Sequence, residues 1–483
     1  MTKVLSLGSI RTLSSALLLA GLLSACSLAP TYERPAAPVN ASYPASAEGK
    51  AGLDAVSLGW RQFFPDQRLQ ALITAALANN RDLRTTALNI EEARAQYNIT
   101  GADLLPNLNA TGNAARTRTS ASQSVTGQPY ISNSYQVGMS LASFELDFFG
   151  RVRSLNNAAL ATYLATEEAQ LSARISLISQ VAQAYLAERS YAEQLTLAQQ
   201  TLESRVVNMD LAKRRFDVGA SSALDLRLAE TLVQSARVSA ATLARQRAQA
   251  DNALTLLVGT EVASLPANQT LSSQKIVTDI PAGLPSDLLT RRPDIRAAEQ
   301  TLRAANANIG AARAAFFPRI SLTGSYGSAS STLGNLFTSG SGAWAFSPQL
   351  SLPIFDAGRN SANLTIAEVR KNIAIAAYEK TIQVAFREVS DALVARGSLE
   401  EQITAQEAYL AAEQDRLNLT ELRYTNGIAS ALDRLDAQRD LFSAQQALVQ
   451  ARQLRLNNAI DLYRALGGGL NEVTATTPAV AAK

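Results

Sequence analysis

Cys26 is the only cysteine in the 483-residue chain, and its setting suggests a covalent modification. It ends the string Leu23-Ser24-Ala25-Cys26, after an apolar stretch from Leu13 to Leu23 that the cations Lys3 and Arg11 precede. A basic start, a short apolar run and small residues before the cleavage point read as a secretory leader, and the run is too short to span a bilayer. Small residues before a cysteine are also what a lipoprotein signal peptidase reads. Residues 1–25 are therefore expected to be a lipoprotein signal peptide. The mature chain would start at Cys26, carrying a diacylglycerol and an N-acyl chain such as palmitate. The alternative is an ordinary signal peptide with an incidental cysteine. Ser27 rather than aspartate follows, which by the usual bacterial sorting rule permits export to the outer membrane.

Little else in the composition can do chemistry. There is no histidine, which removes the commonest general base and metal ligand. With one cysteine, disulfides, thiolate metal sites and Cys–His catalysis are excluded. No Gly-rich phosphate loop of the Walker type occurs. Net charge is +3, falling to about +1 without Lys3 and Arg11, so no basic face is advertised and nucleic acid is not an expected partner. The expectation is no enzyme, no metal and no cofactor beyond the acyl chains. What stands out instead is a pair of serine–aspartate spacings, Ser222 with Asp225 and Ser430 with Asp433, each with the form of a capping box.

Those pairs belong to a duplication. The string from Phe216 to Asp225 returns from Tyr424 to Asp433, about 208 residues later, and Gly150-Arg151 returns as Gly358-Arg359. Asp82-Leu83-Arg84 and Leu104 to Leu108 return as Asp294-Ile295-Arg296 and Phe316 to Ile320. Proline is absent between Pro129 and Pro266 and between Pro353 and Pro478, and both tracts are rich in good helix formers. Long helices are expected at 151–217 and 359–426, turning at Gly219 and Gly427 into returns at 222–258 and 430–466. A helix of that first length is about 100 Å long and its return only some 55 Å. A further helix must make up each deficit: 286–316 is expected to complete the first return and 67–104 the second. Ile403, Leu410, Leu417 and Tyr424 recur every seven residues, as do Leu195, Leu202, Met209 and Phe216. Leu435, Phe442, Val449, Leu456 and Tyr463 repeat the spacing, which implies supercoiled partners.

Two strand pairs lie between the helices, at 107–119/134–146 and 319–328/343–354. Leu108, Ala110 and Gly112 alternate with Asn109, Thr111 and Asn113, and Ile320, Leu322 and Tyr326 alternate with Ser321, Thr323 and Ser325. One apolar and one small polar face is the transmembrane β-barrel pattern. Four strands cannot close a barrel, whose smallest type needs about eight. Two copies would give eight, filled by their own side chains, whereas three would give twelve and leave a water-filled pore. The expected fold class is thus α+β: a long helical coiled-coil barrel plus four transmembrane strands per chain, in two internal repeats. The segments are a tether at 26–65 without a core, a first repeat at 66–265, an equatorial linker at 266–285, a second repeat at 286–466 and a tail at 467–483.

The chain resembles the TolC-like outer-membrane efflux proteins, in the acylated branch that serves resistance-nodulation-division pumps. The resemblance rests on Cys26, Pro30, Tyr32, Arg34, Pro35 and Pro38, and on Trp60, Phe64, Asp66, Leu69, Leu72, Ile73, Leu77, Asn80, Asp82 and Leu83. Its most specific signatures are Leu288 to Ile295, Phe317-Pro318 and Leu352 to Arg359. It covers essentially the whole mature chain. The resemblance implies a homotrimer with a twelve-stranded barrel in outer-membrane lipid and a periplasmic tunnel. It implies the exit duct of a tripartite pump, with a periplasmic adaptor and an inner-membrane transporter as partners.

It also implies a gate at the helix turns. The acidic positions that ring the aperture in the family match Asp433 and Asp436, and Tyr424 matches a position that tethers the closed helices. The arginine that partners the tyrosine in some members falls where this chain has Ala429, a departure for which Arg423 or Arg434 could substitute. Asp433 has an equivalent in Asp225, and capping explains it equally well. Asp436 stands against Leu228 and is not required by the duplication. The turn residues Gly219, Ala220, Ser221, Gly427, Ile428 and Ala429 are expected to meet the adaptor, although a simple tight turn also accounts for them. The alternatives to a duct are a periplasmic adaptor lipoprotein, which would carry one hairpin beside compact β-domains, and a structural coiled-coil lipoprotein. The duplicated unit and the four alternating segments argue against both.

Overall fold

The computed structural model of the chain describes residues 27–43, 54–262, 264–278, 280–283 and 285–474. Cys26 and the leader lie outside the described residues. The elements, in order, are α1 (Trp60–Phe63), α2 (Gln67–Asn79), α3 (Arg81–Ala102), β1 (Leu108–Thr119), β2 (Tyr130–Leu146), α4 (Arg151–Asp217) and α5 (Ala223–Val258). They continue with α6 (Leu288–Arg291), α7 (Pro293–Ala314), β3 (Arg319–Ser330), β4 (Gly342–Ser351), α8 (Arg359–Thr425) and α9 (Ala431–Ala465). By their contacts the described residues fall into two compact units, one of 27–36, 89–167 and 297–378, the other of 37–88, 168–296 and 379–474.

The first unit holds a single antiparallel sheet in the order β1-β2-β3-β4. Register puts the apolar residues on one face: Ala110, Met139, Tyr326 and Trp344 form one row across it, and Leu108, Leu141, Gly324 and Phe346 the next. The row between them carries Asn109, Ser140, Ser325 and Ala345. On the apolar face Trp344 is 76% exposed and Leu350 64%. β1 and β4 each have one neighbour, so both edges of the described sheet are unpaired. The strand pairs depart from expectation at opposite ends of the sheet. β2 starts at Tyr130 rather than 134, so the first loop is shorter, and β4 ends at Ser351 rather than 354, because Ser351 is paired with Arg319, the first residue of β3, and no partner lies beyond it.

Residues 27–36 belong to this unit and are not a loose tether. They run antiparallel to α7: Arg34 pairs with Glu299 at 2.8 Å, the Pro30 carbonyl accepts from Asn306 Nδ2 at 2.7 Å, and the Leu28 carbonyl accepts from Arg313 at 3.5 Å. Tyr32 donates to the same Glu299. Arg34 and Arg303, both paired to Glu299, hold its carboxyl below the usual range against the opposing effect of burial.

The second unit holds the hairpins. Each return starts at the serine expected of it and ends within a residue of the expected place. The heptad positions face inward on α9, where Leu435, Val449, Leu456 and Tyr463 are buried. The pieces that continue the returns are exchanged relative to expectation. At the end of α5, the Leu257 carbonyl accepts from Asn80 Nδ2 at 2.8 Å, so α5 runs up to the start of α3. At the end of α9, the Ala465 carbonyl accepts from Arg292 Nη1 at 3.0 Å, so α9 runs up to the start of α7. Both expected partner helices are also broken. Asn80 ends α2 in extended backbone and caps α3, accepting from Leu83 N, while Pro293, which favours a first-turn position, separates α6 from α7.

The tether and tail carry a core of their own. Trp60, Phe63 and Phe64 are 0–1% exposed, and Phe63 stacks on Tyr463 with centroids 4.0 Å apart. Burying each such side chain contributes about 1.5–3 kcal/mol. The tail pairs with them, since Trp60 N donates to the Asn471 carbonyl at 2.9 Å. Reading 26–65 as coreless followed its prolines and missed this aromatic cluster. The linker is anchored as well, through buried Leu271, Ile276 and Ile280.

Candidate functional site at the helical turns

The two turns have the same backbone. Gly219 and Gly427 sit at φ 74° and 71°, in the left-handed region that costs a residue with a Cβ about 1–2 kcal/mol. Gly219 N donates to the Phe216 carbonyl and Ala220 N to that of Arg215, and Gly427 N and Ile428 N repeat the pattern with Tyr424 and Arg423. Each return then opens with a complete capping box. Asp433 N donates to Ser430 Oγ at 3.2 Å, and Ser430 N and Oγ donate back to Asp433 Oδ2 at 2.9 and 2.8 Å. Ser222 and Asp225 do the same.

These bonds account for the position of Asp433. Its carboxyl is held below the usual range, first by the backbone N–H and then by the hydroxyl of Ser430, with Arg423 adding a favourable charge. Asp436 lies one turn on, half-buried, and pairs with Arg439 at 3.1 Å. Arg439 also reaches Asp440, which pairs with Arg416. Asp436 is thus the outermost carboxylate of a short charge chain on α8 and α9.

Tyr424 is where the hairpins meet near their turns. Arg215, on the first hairpin, donates to Tyr424 Oη at 2.9 Å. Arg434 lies over the same ring with its guanidinium 4.4 Å from the centroid, a cation–π geometry. The sequence pointed to Arg434 and Arg423 as substitutes for the arginine absent at Ala429. Arg434 does reach Tyr424, whereas Arg423 contributes its carbonyl to the turn. Arg215 was missed. Its only signal was its repeat equivalence to Arg423, which says nothing about which of the two crosses to the other hairpin. Among the turn residues Gly219, Ala220, Gly427 and Ile428 are exposed, while Ser221 and Ala429 are half-buried. Val218 and Leu224 add exposed apolar surface there.

Among the described residues no helix is long and apolar enough to cross a membrane, and no acidic group is arranged to hold a metal ion.

The family model described as "Outer membrane efflux protein" matches residues 72–260 and 284–468, one segment per repeat. The chain is 48% identical over 468 residues to the probable efflux pump outer membrane protein TtgC of Pseudomonas putida, covering 96% of this chain and 97% of that one. It is 49% identical over 459 residues to outer membrane protein OprJ of Pseudomonas aeruginosa, covering 95% and 96%. Among solved structures it is similar to the open state of the MtrE outer membrane channel of Neisseria gonorrhoeae, at 44% identity and a TM-score of 0.86, covering 93% of this chain and all of that one. With one matched segment in each repeat and relatives 48–49% identical along nearly their whole length, the chain belongs to the outer membrane efflux protein family, whose members are channels and not enzymes.

Proposed function

We propose that this chain works as a homotrimeric exit duct of a tripartite pump, fed by a periplasmic adaptor and an inner-membrane transporter of the resistance-nodulation-division type. The carrying observation is the sheet. Its apolar face is exposed, its other face is small and polar, and both edges are unpaired. Backbone groups at an open edge cannot be left in lipid, so a spanning sheet must close. Three copies close twelve strands around a pore wide enough for water. The exposed apolar residues at the turns, Val218, Leu224, Ile428 and Leu432, are the surface offered to the adaptor. Cys26 carries the acyl chains, and because residues 28–34 follow α7 toward β3, they hold the anchored end on the strand side of the first unit.

The gate lies at the turns. Tyr424, clasped by Arg215 and stacked by Arg434, holds the second hairpin against the first, and Asp436 from three copies supplies a ring of negative charge, which binds cations in a narrow pore. Outer-membrane fractionation together with a heat-modifiable oligomer three chains in size on gels tests the duct, and a periplasmic monomer would refute it. In planar bilayers Asp436→Ala is expected to raise single-channel conductance and weaken block by multivalent cations. Unchanged conductance and block would remove Asp436 from the gate.

A further inference from the structure

Between the two hairpins, close to the turns, lies a cavity of about 340 Å³ whose lining includes Arg205, Arg215, Arg434 and Tyr424. Two of the three arginines are deeply buried, Arg205 at 5% exposure and Arg434 at 7%. Neither is well neutralised. Arg205 gives Nη1 to the Leu232 carbonyl at 3.1 Å and sits 5.9 Å from the Phe442 ring centroid, with no carboxylate partner among the described residues. Its Nε has no acceptor. Burial without a counter-charge lowers its pKa. Arg434 reaches a half-exposed Glu421 only at 3.5 Å, and its Nε also lacks an acceptor. The third, Arg215, approaches the Tyr424 ring that Arg434 already covers, so two like charges share one ring. Asp225 lines the same cavity, but its Oδ2 accepts from Ser222 N and Oγ, and among the described residues its carboxylate forms no ion pair with any of the three arginines.

Burying a guanidinium without a counter-charge costs several kcal/mol, and orphaned buried donors are rare in native proteins. The side chain of Gln438 adds a further vacancy. It lines the cavity and its buried Oε1 has no partner, but a half-turn of the amide would present NH₂ there instead. We propose that this cavity is a binding site for a small monovalent anion, of the chloride or short-carboxylate class, held between the guanidinium groups of Arg205 and Arg434. The anion supplies the missing acceptors, relieves the repulsion around Tyr424 and fastens the first hairpin to the second. The volume leaves room for the ion with several waters. The repeat does not build a second such site, because Arg205 is matched by Glu413 and Arg434 by Leu226.

The site is tested on the purified full-length protein in a nonionic detergent, by the excess line width of ³⁵Cl NMR at fixed ionic strength. The wild type is expected to broaden the chloride signal, and acetate to remove the excess. Arg205→Met and Arg434→Met are each expected to cut the excess at least about two-fold, since the charge-assisted bonds are the strong ones. Arg227→Met, at an exposed arginine of the first hairpin, should leave it unchanged. Equal broadening by the wild type and both cavity variants would overturn the proposal. If a variant loses its oligomer on gels, acetate competition in the wild type decides: an excess line width that acetate does not remove also overturns it. The readout is independent of conductance, so loss of the anion site and loss of the gate at Asp436 are distinguishable outcomes.

Discussion

The turn at Gly219 and the turn at Gly427 share a backbone and differ in what they carry. Left-handed glycine, capping box and hydrogen-bond pattern are the same in both. The side chains around them are not. Tyr424 replaces Phe216, Arg434 replaces Leu226 and Asp436 replaces Leu228, while Arg214 and Arg227 of the first hairpin give way to Leu422 and Leu435, so the polar groups stand at different places on the two hairpins. The two matched arginines diverge too, because Arg215 crosses to Tyr424 while Arg423 stays with its own turn. A duplicated scaffold can thus keep its geometry while its two copies supply different halves of one tie.

The strongest way to break this comparison is to remove the tie from both sides. Arg215→Ala combined with Tyr424→Phe deletes the 2.9 Å bond and is expected to raise single-channel conductance by about two-fold or more, as the constriction opens. The reciprocal change, Arg423→Ala, should have little effect, and equal effects would mean that the two arginines are interchangeable. Next come the glycines. Gly219→Ala and Gly427→Ala should each destabilise their own turn by about 1–2 kcal/mol, read as faster local hydrogen exchange. A clear inequality would show that the turns are not equivalent in strain.

The caps give the smallest expected effect. Ser222→Ala and Ser430→Ala should each cost about 1 kcal/mol at their helix starts. At the second turn this contribution depends on pH. The folded carboxyl of Asp433 titrates below its ordinary value, so its stabilisation is complete above the ordinary carboxylate range and is lost as pH falls through the lowered value. Protection from hydrogen exchange near Ser430, taken relative to the intrinsic exchange rate at each pH, should fall over that acid window in the wild type and not in Asp433→Asn. An acid response unchanged by that substitution would assign it to another group.

Regular elements were readable from the sequence wherever local pattern decides them. The helix from 151 to 217, the glycine turns and the serine caps are determined within a few residues, and the duplication let each half check the other. What escaped is non-local. The exchange of α3 and α7 as continuations of the returns depends on Asn80 meeting Leu257 and on Arg292 meeting Ala465, contacts between distant segments that no periodicity records. The Arg215–Tyr424 tie escaped for the same reason. The core around Trp60 was hidden by nearby prolines, since a four-residue helix is too short to show a helical repeat. Arg205 was invisible because an arginine on a long helix usually faces water, and only burial set it apart.

The two bare edges of the sheet also bear on how the chain becomes stable. In the proposed trimer, a lone copy with β1 and β4 unsatisfied would have no edge-free state to fold into, and the last step of folding would be a collision between copies. Its melting temperature should therefore rise with protein concentration, as for any fold completed by association. A substitution that weakens the edges would register as slower assembly at low expression and would be masked at high expression.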